Sequence, residues 1–223
     1  MISLSNESLV FLKARKVAGT SLEIALSRYA GAHDILTPIS SGDEEIREGL
    51  GFKGAQNYLD ESGNKIFRPH MTAAEAKNKL GSVLWAECKK VSIVRNPFDV
   101  YVSLFFYQNG ASADIEKLSD WYLKGKGMAY LSVNHKQYFI KGDLIIDHFV
   151  RYEYIKEDIL ELEKEFPSLV GLYNIFTTIK AKSGIRSNAS YDLVNVYSKH
   201  NSLKKKIERL HDFEINQFCY SLE

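Results

Sequence analysis

Short unbroken apolar runs alternate along this chain with longer stretches in which apolar residues recur at helical spacing. Leu9–Lys13 reads as a strand, and Thr20–Tyr29 as a helix whose apolar face is built from Leu22, Ile24, Ala25 and Leu26. Residues 37–68 are rich in Gly, Ser and Asn and show little periodicity, which predicts a long irregular excursion. Thr72 and Glu75 have the spacing of a capping box that opens a helix running through Leu80. Val91–Val94 is a short apolar strand, and Pro97 suits the first turn of a helix reaching about Tyr107. Further on, Asp114–Leu123 reads as helix and Ile145–Val150 as strand. Ile155–Phe166 is an amphipathic helix stopped by Pro167, and a last helix covers about Ser202–Phe213. Strand followed by helix, repeated, predicts an α/β domain with a mostly parallel sheet.

A length of 223 residues suits one domain with a substantial core, or at most one domain with a small subdomain. The formal net charge is only +1, which argues against a protein that coats nucleic acid or another long polyanion; cations here must act locally, in a pocket. Lys204-Lys205-Lys206 reads accordingly as a solvated helix face. Two cysteines, Cys88 and Cys219, cannot make a disulfide framework or a zinc site by themselves and read as reduced thiols. MISLSNESLV lacks the basic segment and apolar stretch of a signal peptide, and no run approaches the ~20 apolar residues of a membrane span. The expectation is a soluble, cytoplasmic protein.

Candidate chemistry concentrates in Lys13–Glu23, KARKVAGTSLE, directly after the apolar Leu9–Leu12 run. A strand that enters a cationic turn and then a helix aims backbone N–H groups and the positive end of a helix dipole at one point. That is a site for a phosphate-like anion. The turn departs from G-x-x-x-x-G-K-[ST], because its lysine precedes the glycine, which argues against ATP or GTP. A second segment, VSIVRNPFDVYVSLFFY, places Arg95 at a strand end and Ser103 eight residues later, about two helical turns on. An arginine there can fork onto a phosphate with the serine adding a hydrogen bond; equally, it can cap carbonyls while the serine is satisfied within its helix.

Taken together, the two segments resemble the two donor signatures of sulfotransferases that use 3′-phosphoadenosine 5′-phosphosulfate (PAPS). The Lys-x-x-Gly-Thr-Ser turn of that family corresponds to Lys16, Val17, Ala18, Gly19, Thr20 and Ser21; the strand-end Arg, Pro and Ser correspond to Arg95, Pro97 and Ser103. DILTPISSGDEEIR, GAQNY, HMTAAEAKNKLG, FVRYEYIKEDI, KSGIR and INQFCY extend the resemblance along most of the chain. They are similar to a bacterial branch closer to the Golgi carbohydrate enzymes than to the phenol and steroid enzymes. The resemblance implies an α/β fold: a single P-loop-like three-layer domain over residues 1–223, with a central, mostly parallel sheet flanked by helices.

It also implies roles. Lys16 would offset charge at the oxygen bridging phosphorus and sulfur. The N–H groups of Val17 to Ser21 and the hydroxyls of Thr20 and Ser21 would hold the 5′-phosphate, with Arg15 beside them. Arg95 and Ser103 would take the 3′-phosphate, and Lys182, Gly184 and Arg186, in KSGIR, would cover the nucleotide. Lys13 either contacts the anion or merely finishes its strand facing solvent. Transfer needs a general base, for which His70 is the first candidate; it could instead pack or cap the helix that follows. Glu23 could order the turn or take the proton. PAPS is then the donor, adenosine 3′,5′-bisphosphate the product, and no metal is required, since lysine and arginine neutralise charge.

The acceptor implied by the branch is a carbohydrate or glycoconjugate. The aromatics Phe52, Tyr58, Phe67, Trp121, Tyr122 and Tyr130 suit sugar faces but serve equally as loop anchors. Two other readings remain: a P-loop small-molecule kinase, whose Gly-Lys-Ser/Thr ending the turn lacks, and a non-catalytic nucleotide-binding module. Oligomeric state is left open by the sequence.

Overall fold

A computed structural model describes residues 1–125, 127–128, 134–179 and 191–223. Lys182, Gly184, Arg186 and Tyr130 lie outside the described residues. The α/β class and mostly parallel sheet expected from the sequence are what the structure has. Five strands form one sheet in the order β3 (Ile35–Leu36), β1 (Ile2–Leu4), β2 (Leu9–Leu12), β4 (Lys89–Val94) and β7 (His148–Arg151). β2 and β4 are parallel with Leu12 opposite Ser92; β1 is antiparallel to both β2 and β3, so β2, β3 and β4 share one direction. All four β2 residues are buried, as an apolar strand covered on both faces must be.

The chain folds as two compact units. The first, residues 1–93 and 134–181, holds the sheet with helices α1 (Gly19–Ser27), α2 (Ser41–Gly49), α3 (Ala73–Leu80) and α4 (Ser82–Glu87). It also includes α7 (His135–Tyr138), a small hairpin β5 (Phe139–Ile140) and β6 (Asp143–Leu144), and helices α8 (Ile155–Glu165) and α9 (Leu172–Thr178). The second, residues 94–133 and 182–223, is helical: α5 (Pro97–Asn109), α6 (Leu118–Lys124), α10 (Leu193–Ser198), α11 (Asn201–Leu210) and α12 (Asp212–Phe218). Its core joins Tyr101, Tyr122 and His211, with the Tyr122 hydroxyl donating to the Tyr101 carbonyl at 2.6 Å.

Local signals account for several boundaries. Thr72 and Glu75 form the full reciprocal capping box at the start of α3. Pro97 sits in the first turn of α5, behind an Asn96 side chain that accepts from the Phe98 N–H. Leu203 and Ile207 are the buried stripe of α11, leaving Lys205 and Lys206 solvated as expected.

Other expectations need correction. The 37–68 stretch is not irregular throughout: α2 forms inside it, with Asp43 and Glu44 in its first turn and a buried Arg47 in its last. Its single apolar side chain, the half-buried Ile46, is too little for a periodicity signal. The strand expected over Ile145–Val150 begins only at His148, and Asp114–Leu123 starts as a short 3-10 turn over Ile115–Lys117. The final helix is broken at His211 into α11 and α12. Arg151, at the end of β7, grips Asp158 with its backbone N–H at 2.7 Å and two guanidinium nitrogens at 2.8 and 2.6 Å. Among the described residues no helix is long and apolar enough to cross a membrane.

Candidate functional site

The turn between β2 and α1 is anchored by its small apolar residues. Ala14 and Val17 are buried, while Arg15, Lys16 and Ala18 are half-buried along its outer side. Lys16 and Ala18 both adopt left-handed backbone, φ 64° and 63°, on either side of Val17. Alternation of this kind turns successive N–H groups toward one point and makes an anion-binding concavity. α1 has no side-chain cap, and no hydrogen bond joins the N–H groups of Val17, Ala18 or Gly19 to another described residue. Open donors at a helix N-terminus are satisfied by water or by an anionic ligand, and the helix dipole favours the anion. The Ser21 N–H is not among them, because it donates to the Ala18 carbonyl at 3.1 Å.

Gly19 is required by a close approach. A Cβ there would lie 2.7 Å from Cγ of Lys13 and 3.3 Å from the Ala14 carbonyl oxygen. Gly19→Ala should therefore displace the Lys13 side chain and cost about 1–3 kcal/mol, measurable as a lower denaturant midpoint with an unchanged m-value.

Lys13 does not finish its strand in solvent. It is buried and forms an ion pair with Oε2 of Glu23, itself fully buried on α1. Oε1 of Glu23 accepts from the Met1 nitrogen at 2.8 Å and from the Thr37 hydroxyl at 3.1 Å. Burial alone would raise the Glu23 pKa, but the Lys13 and Met1 charges and their hydrogen bonds hold it far below its ordinary 4.5. A carboxylate so occupied orders the turn; it is not poised to take a proton. Glu23→Gln would leave the Lys13 ammonium buried without its counter-charge, an expected loss of about 3–5 kcal/mol. A folded-state pKa below the unfolded one means that the pair's contribution is present above about pH 4.5 and fades as pH falls. Denaturant titrations should therefore show the gap between wild type and Glu23→Gln shrinking between pH 7 and pH 3.

His70 stands beside the same turn. Its Nδ1 lies 2.8 Å from the Lys13 carbonyl oxygen. A carbonyl can only accept, so Nδ1 carries the proton and Nε2 keeps the lone pair. Burial, foremost, and then the Lys13 charge push the His70 pKa from 6.5 down to about 3, with Arg15 and the Met1 amine adding to the effect. The ring is thus neutral at neutral pH, with one basic nitrogen. Its own backbone is left-handed at φ 55°, a conformation that histidine tolerates better than most residues.

Two residues that the sequence did not mark complete this neighbourhood. The Asn134 side-chain amide accepts from the Arg15 N–H at 2.9 Å and donates to the Arg15 carbonyl at 3.1 Å. Gln137 donates to the Lys13 carbonyl at 2.7 Å. Nothing local announces them: each is an unremarkable polar residue more than a hundred positions from its partner.

In the sheet unit, therefore, Arg15, Lys16, Val17, Ala18, Gly19, Thr20, Ser21 and His70 gather around one turn. Arg95 and Ser103 belong to the helical unit. Arg95 follows β4 directly and is ion-paired with Asp99 on α5; Ser103, two turns along α5, is half-buried. No hydrogen bond joins the Ser103 hydroxyl to another described residue, so it is not satisfied within its own helix. No cluster of three or more His, Cys, Asp or Glu side chains among the described residues could hold a metal ion.

Comparison with protein families matches residues 44–172 to the Sulfotransferase domain. That span includes His70, Arg95 and Ser103 and begins after the Lys16 turn, whose shape is thus a separate observation. Comparisons with curated proteins and with solved structures return no match. Because the matched span exceeds half of the chain, the conclusion is direct: this chain belongs to the sulfotransferase domain family.

Proposed function

We propose that the chain moves the sulfuryl group of PAPS to a hydroxyl or amine of a carbohydrate or glycoconjugate acceptor. The observation that carries this reading is the left-handed Lys16–Ala18 turn, with its open Val17, Ala18 and Gly19 amides, beside a neutral His70. PAPS supplies an SO3 group whose in-line transfer, like that of a phosphoryl group, leaves the protein chiefly to position and to neutralise charge. The turn binds the 5′-phosphosulfate through backbone N–H groups and the Thr20 and Ser21 hydroxyls, with Arg15 adding charge. Lys16 offsets charge at the leaving oxygen. Arg95 and Ser103 hold the 3′-phosphate, and Lys182, Gly184 and Arg186 cover the nucleotide. His70 Nε2 takes the acceptor proton.

Thermal shift separates this from other nucleotide chemistry. A ligand at a hundred times its Kd stabilises by about 2.7 kcal/mol, which raises the Tm of a chain this size by roughly 5–10 °C. Adenosine 3′,5′-bisphosphate should do so, and AMP or ATP with magnesium should not. Stabilisation by ATP with magnesium alone would instead point to a kinase. Arg95→Ala should weaken the bisphosphate about 10- to 100-fold, the usual worth of a charged hydrogen-bonded contact, and leave AMP binding unchanged in calorimetry. Equal weakening of both ligands would remove Arg95 from the 3′-phosphate. The acceptor is open to a screen of glycans, lipids and phenols with mass-traced PAPS.

A further inference from the structure

The Lys13 carbonyl is the junction of this site. It receives two donors, His70 Nδ1 at 2.8 Å and Gln137 Nε2 at 2.7 Å, and it sits two residues before the Arg15 peptide that Asn134 brackets on both sides. Asn134 and Gln137 are 4% and 0% exposed, so neither is a surface residue that happens to lean inward. They occupy the start and the third residue of the one-turn helix α7. We propose that both are positioning residues of the transfer site: Asn134 fixes the Arg15 backbone of the anion turn, and Gln137 shares the Lys13 carbonyl with His70, so that turn and base are held in register. This inference rests on the sulfotransferase reading above.

The energetics of Gln137 favour a positioning role over a packing one. Its Oε1 is buried with no hydrogen-bond partner among the described residues. An orphaned buried acceptor is destabilising, and native structures keep few of them. The Lys13 carbonyl would still have His70 as its donor if Gln137 were apolar, so stability alone gives no reason to retain the amide. What the amide does is compete with His70 for one carbonyl. Removing it strengthens the remaining bond, and a stronger acceptor at Nδ1–H favours the protonated ring. The charged groups facing His70 are Lys13, Arg15 and the Met1 amine, with Glu23 opposing Lys13; none of them is altered by a change at position 137.

Asn134 acts differently. By mimicking a strand partner for the Arg15 peptide, it holds the residue immediately before the left-handed Lys16. Its loss should be felt in anion affinity and not in the titration of His70.

Full-length variants test both halves. In Asn134→Ala the Kd for adenosine 3′,5′-bisphosphate, by calorimetry, should rise about tenfold. Asn134→Asp, which can still accept from the Arg15 N–H but cannot donate to its carbonyl, should fall between. Wild-type affinity in both folded variants would overturn the role of Asn134. For Gln137→Met, the melting temperature should be equal to or higher than that of wild type, while the His70 titration midpoint, followed by NMR of the labelled imidazole, moves upward. An unmoved midpoint overturns the coupling, with or without a fall in melting temperature. Should the wild-type protein itself fail to bind the bisphosphate, it is the donor assignment that falls; the His70 midpoint in Gln137→Met still decides whether the shared carbonyl couples turn and base.

Discussion

Lys16→Ala should lower kcat for sulfuryl transfer by about a hundredfold to a thousandfold, the usual consequence of removing one group aimed at developing charge. The backbone makes this a clean experiment. Lys16 is left-handed at φ 64°, and alanine bears the same steric cost there as lysine, so the substitution adds no backbone strain of its own. The open amides of Val17, Ala18 and Gly19 remain. Affinity for adenosine 3′,5′-bisphosphate, which lacks the sulfuryl group, should therefore change only about threefold. A rapid-quench single turnover with mass-traced PAPS separates the chemical step from binding. Lys16→Arg, which keeps the charge but not its point-like shape, should recover part of the rate. Near-normal turnover in Lys16→Ala would remove Lys16 from the reaction.

His70→Ala carries the second large effect, a loss of about 10²–10⁴ in kcat with bisphosphate affinity retained. The pH profile tests more than the mutation does. In the free protein His70 is held at a pKa of about 3 by burial and by Lys13 and Arg15, so it is already deprotonated at neutral pH but a feeble base. A phosphosulfate bound at the turn, as proposed, would bring negative charge against those same cations and raise the pKa toward the useful range. The acid limb of kcat, which reports the donor complex, should accordingly lie at higher pH than the acid limb of kcat/KM for PAPS, which reports the free protein. An unchanged kcat in His70→Ala would leave the ring with its structural bond to the Lys13 carbonyl and nothing more.

What can be read from the sequence follows from how local each signal is. The Thr72–Glu75 capping box and Pro97 at the head of α5 are complete within four residues, and both helices start where those residues place them. The KARKVAGTSLE turn is legible because strand, cation and glycine are adjacent. α2 escapes notice because its sequence, SGDEEIREG, carries acidic residues in its first turn and Arg47 in its last but no apolar face. β1 and β3 are three and two residues long, below any pattern of period two. In the site, the ambiguity over Lys13 and Glu23 resolves only in three dimensions: each is an ordinary charged residue until burial pairs them. Asn134 and Gln137 are invisible in the sequence for the same reason.

The separation of those two amides from the turn has a consequence for synthesis. The Arg15–Asn134 and Lys13–Gln137 contacts span 119 and 124 residues of chain. At roughly 5–20 residues per second, a ribosome needs on the order of ten seconds to make that intervening length. Throughout that interval the emerging KARKVAGTSLE segment has neither Asn134 nor Gln137 to hold its left-handed residues. The two buried amide contacts of the turn thus form only in a chain that has been made at least as far as α7.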